Sequence, residues 1–238
     1  MTFSTLFMTF LVYSIIGWIW ESFYCSFKVK HFVYRGFLLG PYCPVYGCGV
    51  VAVLLLVPKD AGTLLNLYFN MVVIVTLIEY TTSWLLEKFF KMKLWDYSEM
   101  PLNIGGRVAV PVSLFWGVGC LFLVKVIQPA IGAAIHDFDS FTRGFGPIIL
   151  FLIFAVDCST TLIFTLTAKK DVEAALDFSD PENAAVKEYR IESIIQNYEP
   201  HISRDSVKSF IENKERKLLH DRNLNRLMHN FPNMKFKK

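Results

Sequence analysis

The chain has 238 residues, of which 53% are hydrophobic and 16% aromatic, and its formal net charge is +3. Soluble domains average about 45–50% apolar residues, so the composition predicts a membrane protein, and the small net charge argues against nucleic-acid binding. Of the 45 Asp, Glu, Lys and Arg residues, 26 lie in residues 169–238. This split predicts a transmembrane domain in residues 1–168 and a charged, helical cytosolic tail in residues 169–238.

Apolar stretches divide the first 168 residues, and four of them have the roughly 20 residues that cross a bilayer as a helix. The first stretch lacks the basic start and the cleavage site of a signal peptide, so we expect it to be retained. A fifth, shorter stretch opens in a segment rich in glycine and proline, where Pro44 suits the first position of a helix. We therefore predict an all-α polytopic helical membrane bundle of about five transmembrane helices, one of them short or discontinuous. The predicted spans are residues 3–27, 42–57, 63–86, 108–127 and 147–168.

The Lys and Arg residues near the ends of these spans are unevenly distributed between the two sides. Nine fall on one side and three on the other. Basic loops stay in the cytoplasm, so we expect a cell-membrane protein with its N-terminus outside and its tail in the cytoplasm. The nine are Lys28, Lys30, Arg35, Lys88, Lys91, Lys93, Arg107, Lys169 and Lys170, and the three are Lys59, Lys125 and Arg143.

The tail contains two amphipathic helical patterns. Asp180 suits the N-cap of the first, Pro181 follows at its first position, and Pro200 ends it. This pattern predicts a small cytosolic helical hairpin, a docking element for a cytosolic partner, or a basic helix lying on the membrane.

The five cysteines lie in or beside apolar stretches, and no two of them form a CxxC pair. We interpret them as reduced, small apolar residues and predict no metal site.

Polar side chains follow the helical period inside three of the spans. An ionised group in hydrocarbon is costly, so such residues face a partner or a water-filled cavity. Glu79, Ser83 and Glu87 are four residues apart and share one helix face. Glu21 lies on a face of small and polar residues in the first span, and Asp157 lines up with two threonines in the last span. We expect the three polar faces to meet inside the bundle.

Two irregular segments are predicted beside these faces, at the cytoplasmic ends of the spans. Residues 35–49 contain four glycines and two prolines, and residues 94–117 contain a Trp-Asp-Tyr-Ser run, a Gly-Gly pair and Arg107. Irregular backbone at membrane depth is tolerated only where protein or water covers it. The two segments therefore predict a polar cavity open to the cytoplasm, with the N-terminus of the helix at Pro44 placed at the inner membrane face.

A purely structural role is the alternative for each of these polar residues. Asp96 and Arg107 would form an ion pair that shapes their loop. Glu21 and Glu79 would be protonated or hydrogen-bonded packing residues. Glu87 would be an ordinary interfacial charge close to Lys88 and Lys91. Asp157 would be hydrogen-bonded to a threonine on its own helix, or else functional.

Five blocks of the sequence, in order, resemble the recurring blocks of a bacterial family catalogued as putative ABC-transporter type IV, or putative ABC transporter permease. The blocks are GWIWESF, GFLLGPYCPVYGCG, IEYTTSWLLEKFF, WDYSEMPLNIGGRV and SLFWGVG, within about residues 10–130. The resemblance implies a transport protein of the bacterial inner membrane, and its motif positions coincide with the polar positions above. The predicted substrate-binding residues are Glu21, Tyr46, Glu79, Ser83, Asp96, Tyr97, Asn103 and Arg107.

Three functions are compatible with the sequence. In the first, the chain is a transport component. It has no G-x-x-x-x-G-K-[ST] motif, so it needs a separate ATPase subunit, or ion coupling through Glu79 or Asp157. In the second, it is a membrane-embedded enzyme or binder acting on a lipid-linked or isoprenoid substrate, with acidic residues as general acid–base groups or Mg²⁺ ligands. In the third, it is a scaffold or sensor that signals through its tail. Membrane lipid and a second copy of the chain are further expected partners.

Overall fold

A computed structural model describes residues 2–57, 62–90, 92–176 and 235–236. Its helices are α1 (Phe3–Val29), α2 (Pro44–Leu56), α3 (Leu64–Phe90), α4 (Val110–Phe122), α5 (Gln128–Phe141) and α6 (Phe145–Leu176), and a π-helical turn, Leu123–Ile127, joins α4 to α5. Its strands are β1 (Met92–Lys93), β2 (Asn103–Ile104), β3 (Val108–Ala109) and β4 (Lys235–Phe236). The two helices predicted beyond Pro181 lie outside the described residues.

Four of the described helices are long and apolar enough to cross a membrane, and α2 is a shorter apolar helix. The prediction of a helical membrane bundle with one short helix is thereby confirmed. Large apolar side chains cover the outside of these helices, as expected where a protein meets lipid. The four long helices are Phe3–Lys28, Leu64–Phe90, Val110–Phe141 and Phe145–Leu166.

The third long helix extends well beyond the predicted span of residues 108–127. Pro129 lacks an amide hydrogen and normally interrupts the hydrogen-bond ladder of a helix. The π-helical turn lies immediately before it, and the helix continues to Phe141. Turns of this kind let a helix bend without ending.

An irregular segment of residues 30–43, here called the strap, follows α1. Lys30 ends the helix in the left-handed conformation, with φ 59°. Three hydrogen bonds then fasten the strap to α1 at successively earlier positions of the helix. They are Val33 N to Ser26 Oγ (2.8 Å), Arg35 N to Ser22 Oγ (3.1 Å) and Cys43 N to the Ser14 carbonyl (2.9 Å). The strap therefore runs back along α1, and α2 starts beside the middle of α1 rather than at its end.

Pro44 is the first residue of α2, as predicted. The strap carries the chain back to the level of Ser14, near the middle of α1, before the proline. The 13 residues of α2 span about 20 Å, less than the roughly 30 Å thickness of the hydrocarbon core.

A second irregular segment, residues 92–109, follows α3 and is called the hairpin loop. Its strands β2 and β3 pair antiparallel, with Asn103 opposite Ala109. Gly105 and Gly106 form the turn with φ of 60° and 67°, values that glycine adopts without steric cost. Strand β4 pairs antiparallel with β1 at the start of this loop.

The order of elements repeats. The first unit contains α1 with 27 residues, the strap, and α2 with 13 residues. The second unit contains α3 with 27 residues, the hairpin loop, and α4 with 13 residues. A proline occupies one of the first two positions of each shorter helix. Each unit is thus a long helix, a segment of irregular backbone and a helix that starts anew.

Apolar contacts pack the two units together and α5 against α1. One buried cluster joins α2, α3 and α4, and a second joins α1 to α5. The Trp116 ring of α4 lies edge-on to the rings of Trp20 on α1 (6.4 Å) and Tyr46 on α2 (5.2 Å). The first cluster is Val53, Leu67, Met71 and Cys120, and the second is Phe7, Met8, Leu11 and Ile135.

Candidate functional site

Glu21 joins three elements of the first unit. Its Oε2 atom lies 3.1 Å from Arg35 Nε on the strap, and its Oε1 atom accepts a hydrogen bond from Tyr46 Oη on α2 at 2.8 Å. Hydrogen bonds to ionised groups are about twice as strong as neutral ones. The carboxylate therefore holds both the strap and the first turn of α2 against α1.

Glu79 has a simpler environment in the second unit. Its Oε1 atom accepts a hydrogen bond from Tyr97 Oη of the hairpin loop at 3.1 Å. Ser83, one turn later, is buried. Burial raises the pKa of Tyr97, the charges of Glu79 and Glu21 raise it further, and Arg35 lowers it. Tyr97 therefore stays protonated as a donor, within electrostatic reach of both carboxyl groups.

These contacts form two groups, Glu21 with Arg35 and Tyr46, and Glu79 with Tyr97. The two groups interact electrostatically and are together called the central cluster. It brings together α1, the strap, α2, α3 and the hairpin loop. Its members are Glu21, Arg35, Tyr46, Glu79 and Tyr97.

A second ion pair lies further along α3. Arg107 Nη2 lies 2.6 Å from Glu87 Oε2, and the guanidinium carbon is 5.4 Å from the centre of the Tyr80 ring. The carbonyl of Arg107 accepts a hydrogen bond from Trp95 Nε1 at 2.9 Å. The expectation that Glu87 is an ordinary interfacial charge was wrong, because its side chain is only 7% exposed and paired with Arg107.

Asp96 and Asn103 make hydrogen bonds within the hairpin loop. The Asp96 carboxylate accepts hydrogen bonds from the amide and the hydroxyl of Ser98. The Asn103 side chain donates to the carbonyls of Ser98 (3.1 Å) and Met100 (2.9 Å) and accepts from the amide of Gly106 (3.1 Å). These two residues shape the loop that presents Tyr97 and Arg107 to α3.

Asp157 on α6 binds the backbone of the strap. Its two carboxylate oxygens accept hydrogen bonds from the amides of Leu39 (2.9 Å) and Gly40 (2.6 Å). Thr161 Oγ1 donates to the same carboxylate at 3.0 Å, which confirms the expected contact with a threonine on its own helix. Backbone amides carry no side-chain signal, so the sequence did not indicate the strap as the partner of Asp157.

The family model described as "Putative ABC-transporter type IV" matches residues 8–162. The chain belongs to this family. The match covers all of the second unit, all of the first unit from residue 8 onward, the central cluster and Asp157, and it agrees with the family resemblance found in the sequence blocks. No curated protein and no solved structure matches the chain. The family and the four long apolar helices together indicate a transporter-like membrane protein.

The two ion pairs occupy corresponding places in the two units of this family member. In each unit a glutamate stands three residues after a tryptophan, and it pairs with the arginine of the irregular segment that follows. This W-x-x-E spacing, followed by a single arginine before a proline-initiated helix, is a sequence signal that indicates the two ion pairs. The corresponding residues are Trp18, Glu21 and Arg35 in the first unit and Trp84, Glu87 and Arg107 in the second.

The eight predicted site residues therefore separate into three groups. Glu21, Tyr46, Glu79 and Tyr97 come together in the central cluster, where Arg35 joins them. Ser83 is buried on α3 between Glu79 and Glu87. The remaining three, Asp96, Asn103 and Arg107, belong to the hairpin loop.

Proposed function

We propose that the chain is the membrane-embedded component of a transport system and that the central cluster is its solute- or ion-binding site. The observation that carries this proposal is the repeated unit of long helix, irregular segment and new helix. In many transporters the binding site lies between structural repeats, where discontinuous helices expose polar groups inside the membrane. The central cluster occupies that position here, because it draws side chains from both units.

The chemistry of the cluster suits a small polar or charged solute. It offers two carboxyl groups, one guanidinium group and two tyrosine hydroxyls from five separate elements. Because the side chains of the cluster come from several elements, their arrangement changes when one of these elements moves. The irregular backbone of the strap and hairpin loop needs a cover of protein or water at this depth, which favours a polar cavity open to the cytoplasm.

The distribution of basic residues supports one orientation, with the N-terminus outside and the hairpin loop and tail in the cytoplasm. A protease-cleavable tag fused to the C-terminus would test this orientation. In sealed inside-out vesicles the tag should be cleaved, and in right-side-out vesicles it should be protected. The reverse pattern would place the cluster on the opposite side.

The proposed transport could be driven in either of two ways, by ATP or by an ion gradient. The 238 residues contain no phosphate-binding G-x-x-x-x-G-K-[ST] loop, so ATP-driven transport requires a separate ATPase subunit. The alternative is coupling to an ion that binds in the cluster itself.

The decisive experiment is ligand binding followed by exchange. Wild type and Glu79→Gln, reconstituted in nanodiscs, would be screened by thermal unfolding against a panel of amines, amino acids, nucleosides and organic acids. We expect a solute that stabilises wild type and not the variant, and that exchanges across proteoliposomes in a counterflow assay. Glu99→Gln is the matched control, because it makes the same substitution at an exposed position of the hairpin loop.

Two outcomes would count against the proposal. Equal stabilisation of wild type and Glu79→Gln would place the binding site elsewhere. Binding without exchange across the bilayer would instead favour a membrane-embedded enzyme or binder.

A further inference from the structure

Among the described residues, the spanning segments Phe3–Lys28, Leu64–Phe90 and Phe145–Leu166 contain four carboxyl groups, which do not have equivalent partners. Glu21 and Glu87 are each paired with an arginine. Asp157 accepts three hydrogen bonds, two from backbone amides and one from a hydroxyl. Glu79 accepts one hydrogen bond, from Tyr97.

This difference matters because an ionised carboxylate in a low-dielectric interior is unfavourable unless it is paired or well hydrogen-bonded. The two arginines balance Glu21 and Glu87, and three donors serve Asp157. Glu79 has a single donor, on Oε1, while its Oε2 atom has no hydrogen-bond partner among the described residues. Glu79 is therefore the carboxyl group that gains most from binding a proton.

The comparison of the two units also singles out Glu79. Counting back five residues from Trp84 reaches Glu79, whereas the same count from Trp18 reaches Tyr13. Tyr13 is almost fully buried, so the first unit fills the corresponding place with a neutral side chain. The fold of a unit consequently does not require a carboxyl group there, whereas both units have the Glu–Arg pair.

We propose that Glu79 is the proton-binding residue of this protein, taking a proton onto Oε2 from water on the cytoplasmic side and releasing it when the cluster rearranges. The bound form is the neutral carboxylic acid, and the released form is the carboxylate held by Tyr97. Coupling this exchange to solute movement rests on the proposed transport function. Four helices, the strap and the hairpin loop carry the other charged and titratable groups of this region. On the helices they are Glu21 (α1), Tyr46 (α2), Tyr80 and Glu87 (α3) and Asp157 (α6), the last of which faces the strap. On the irregular segments they are Arg35 of the strap and Tyr97 and Arg107 of the hairpin loop.

Infrared difference spectroscopy tests this assignment directly, because a protonated carboxyl group has a C=O stretch that a carboxylate lacks. The full chain in nanodiscs would be titrated between about pH 5 and pH 9, the range in which desolvated carboxyl groups titrate. We expect a deuterium-sensitive C=O band that disappears as pH rises. The band should be absent at every pH in Glu79→Gln and present in Glu99→Gln and Asp157→Asn.

A second variant distinguishes a proton site from a residue that only supports the fold. The Tyr97 hydroxyl stabilises the charged form of Glu79, so its removal in Tyr97→Phe should favour the protonated form. We expect the midpoint of the band to move to higher pH by about one unit, a tenfold change in proton affinity. An unchanged or lower midpoint would contradict the proposed role of Oε1 and Oε2.

The remaining outcomes are equally informative. A titrating band that survives Glu79→Gln, or that is lost in Asp157→Asn, would overturn the assignment. A midpoint that falls when sodium chloride replaces choline chloride would support the assignment and show that sodium competes with the proton for the same carboxyl group. If proteoliposomes exchange a solute but the wild type shows no titrating C=O band, the transport proposal is supported and the proton-binding proposal is wrong. If the C=O band titrates but no solute is exchanged across the bilayer, the proton-binding proposal is supported and the transport proposal is wrong.

Discussion

The strap and the hairpin loop occupy corresponding places in the two units, but they are held by different means. The hairpin loop is held largely by its own contacts, including the β2–β3 pairing and the Asn103 side chain. The strap contains no described helix or strand and depends on acceptors from α1 and from Asp157 on α6. We therefore expect the conformation of the strap to depend more on the neighbouring helices than that of the hairpin loop does.

The same comparison explains which segment each polar helix face contacts. Backbone amides buried at membrane depth must find acceptors. In the strap they bind Ser22 and Ser26 on α1 and Asp157 on α6. The strap therefore lies between the polar faces of α1 and α6, while the face of α3 contacts the hairpin loop through Glu79 and Glu87.

Breaking the two ion pairs should give the largest difference between the segments. In Arg107→Ala the nearly buried Glu87 is left without its arginine, and we expect a loss of about 3–5 kcal/mol in the free energy of unfolding. Glu21 is 27% exposed and keeps Tyr46 as a donor, so Arg35→Ala should cost less. Thermal unfolding in detergent measures both.

A double variant provides the control for that comparison. Glu87→Ala combined with Arg107→Ala removes both charges, so it should recover part of the stability lost in Arg107→Ala. Equal losses in the two single variants would show that burial does not distinguish the pairs.

Asp157→Asn should weaken the strap and leave the hairpin loop unchanged. The amide nitrogen of the new side chain cannot accept a hydrogen bond, so either Leu39 or Gly40 loses its acceptor, at a cost of about 2 kcal/mol. Hydrogen–deuterium exchange should become faster in residues 33–43 and not in residues 95–107. Asp139→Asn is the control, because Asp139 on α5 accepts a hydrogen bond from Ser4 near the N-terminus of α1 and not from the strap. Faster exchange in both segments would mean that α6 stabilises the whole bundle rather than the strap.

Two glycine substitutions give the smallest expected difference. Gly36 in the strap has φ 119°, and an added Cβ would lie 3.0 Å from the Tyr42 carbonyl oxygen. Gly105 in the hairpin loop has φ 60°, which other residues tolerate at a cost of about 1–2 kcal/mol. Gly36→Ala should therefore lower the unfolding temperature more than Gly105→Ala. The helical Gly132→Ala should be neutral or slightly stabilising, and a larger effect there would show that crowding, not φ, dominates.

Much of the fold follows from local sequence. Four apolar stretches are long enough to span a bilayer, Pro44 starts α2, and the four-residue spacing of Glu79, Ser83 and Glu87 places them on one face of α3. Each of these properties depends on helical geometry and on the cost of exposing polar groups to lipid, and both act over a few residues. The continuation of the third long helix past Pro129 was missed, because a proline ordinarily ends a helix and no local pattern announces a π turn.

The site was predictable as a set of residues but not as a set of contacts. Polar residues in apolar stretches stand out, so four members of the central cluster were found from sequence alone. Their pairing was not, because Glu21 and Arg35 are 14 residues apart and Glu87 and Arg107 are 20 apart. When charged residues are separated by this many residues of irregular backbone, the sequence allows many different ion pairs.

The sequence by itself determined a helical membrane protein, its family and the residues that must avoid lipid, because composition and helical period carry that information. The tertiary structure alone decided the level along α1 at which α2 begins and the partners of the charged side chains in the two ion pairs. The physical reason is that these features depend on how an irregular strap satisfies its backbone amides, and its acceptors lie on helices as distant in sequence as Ser22 and Asp157.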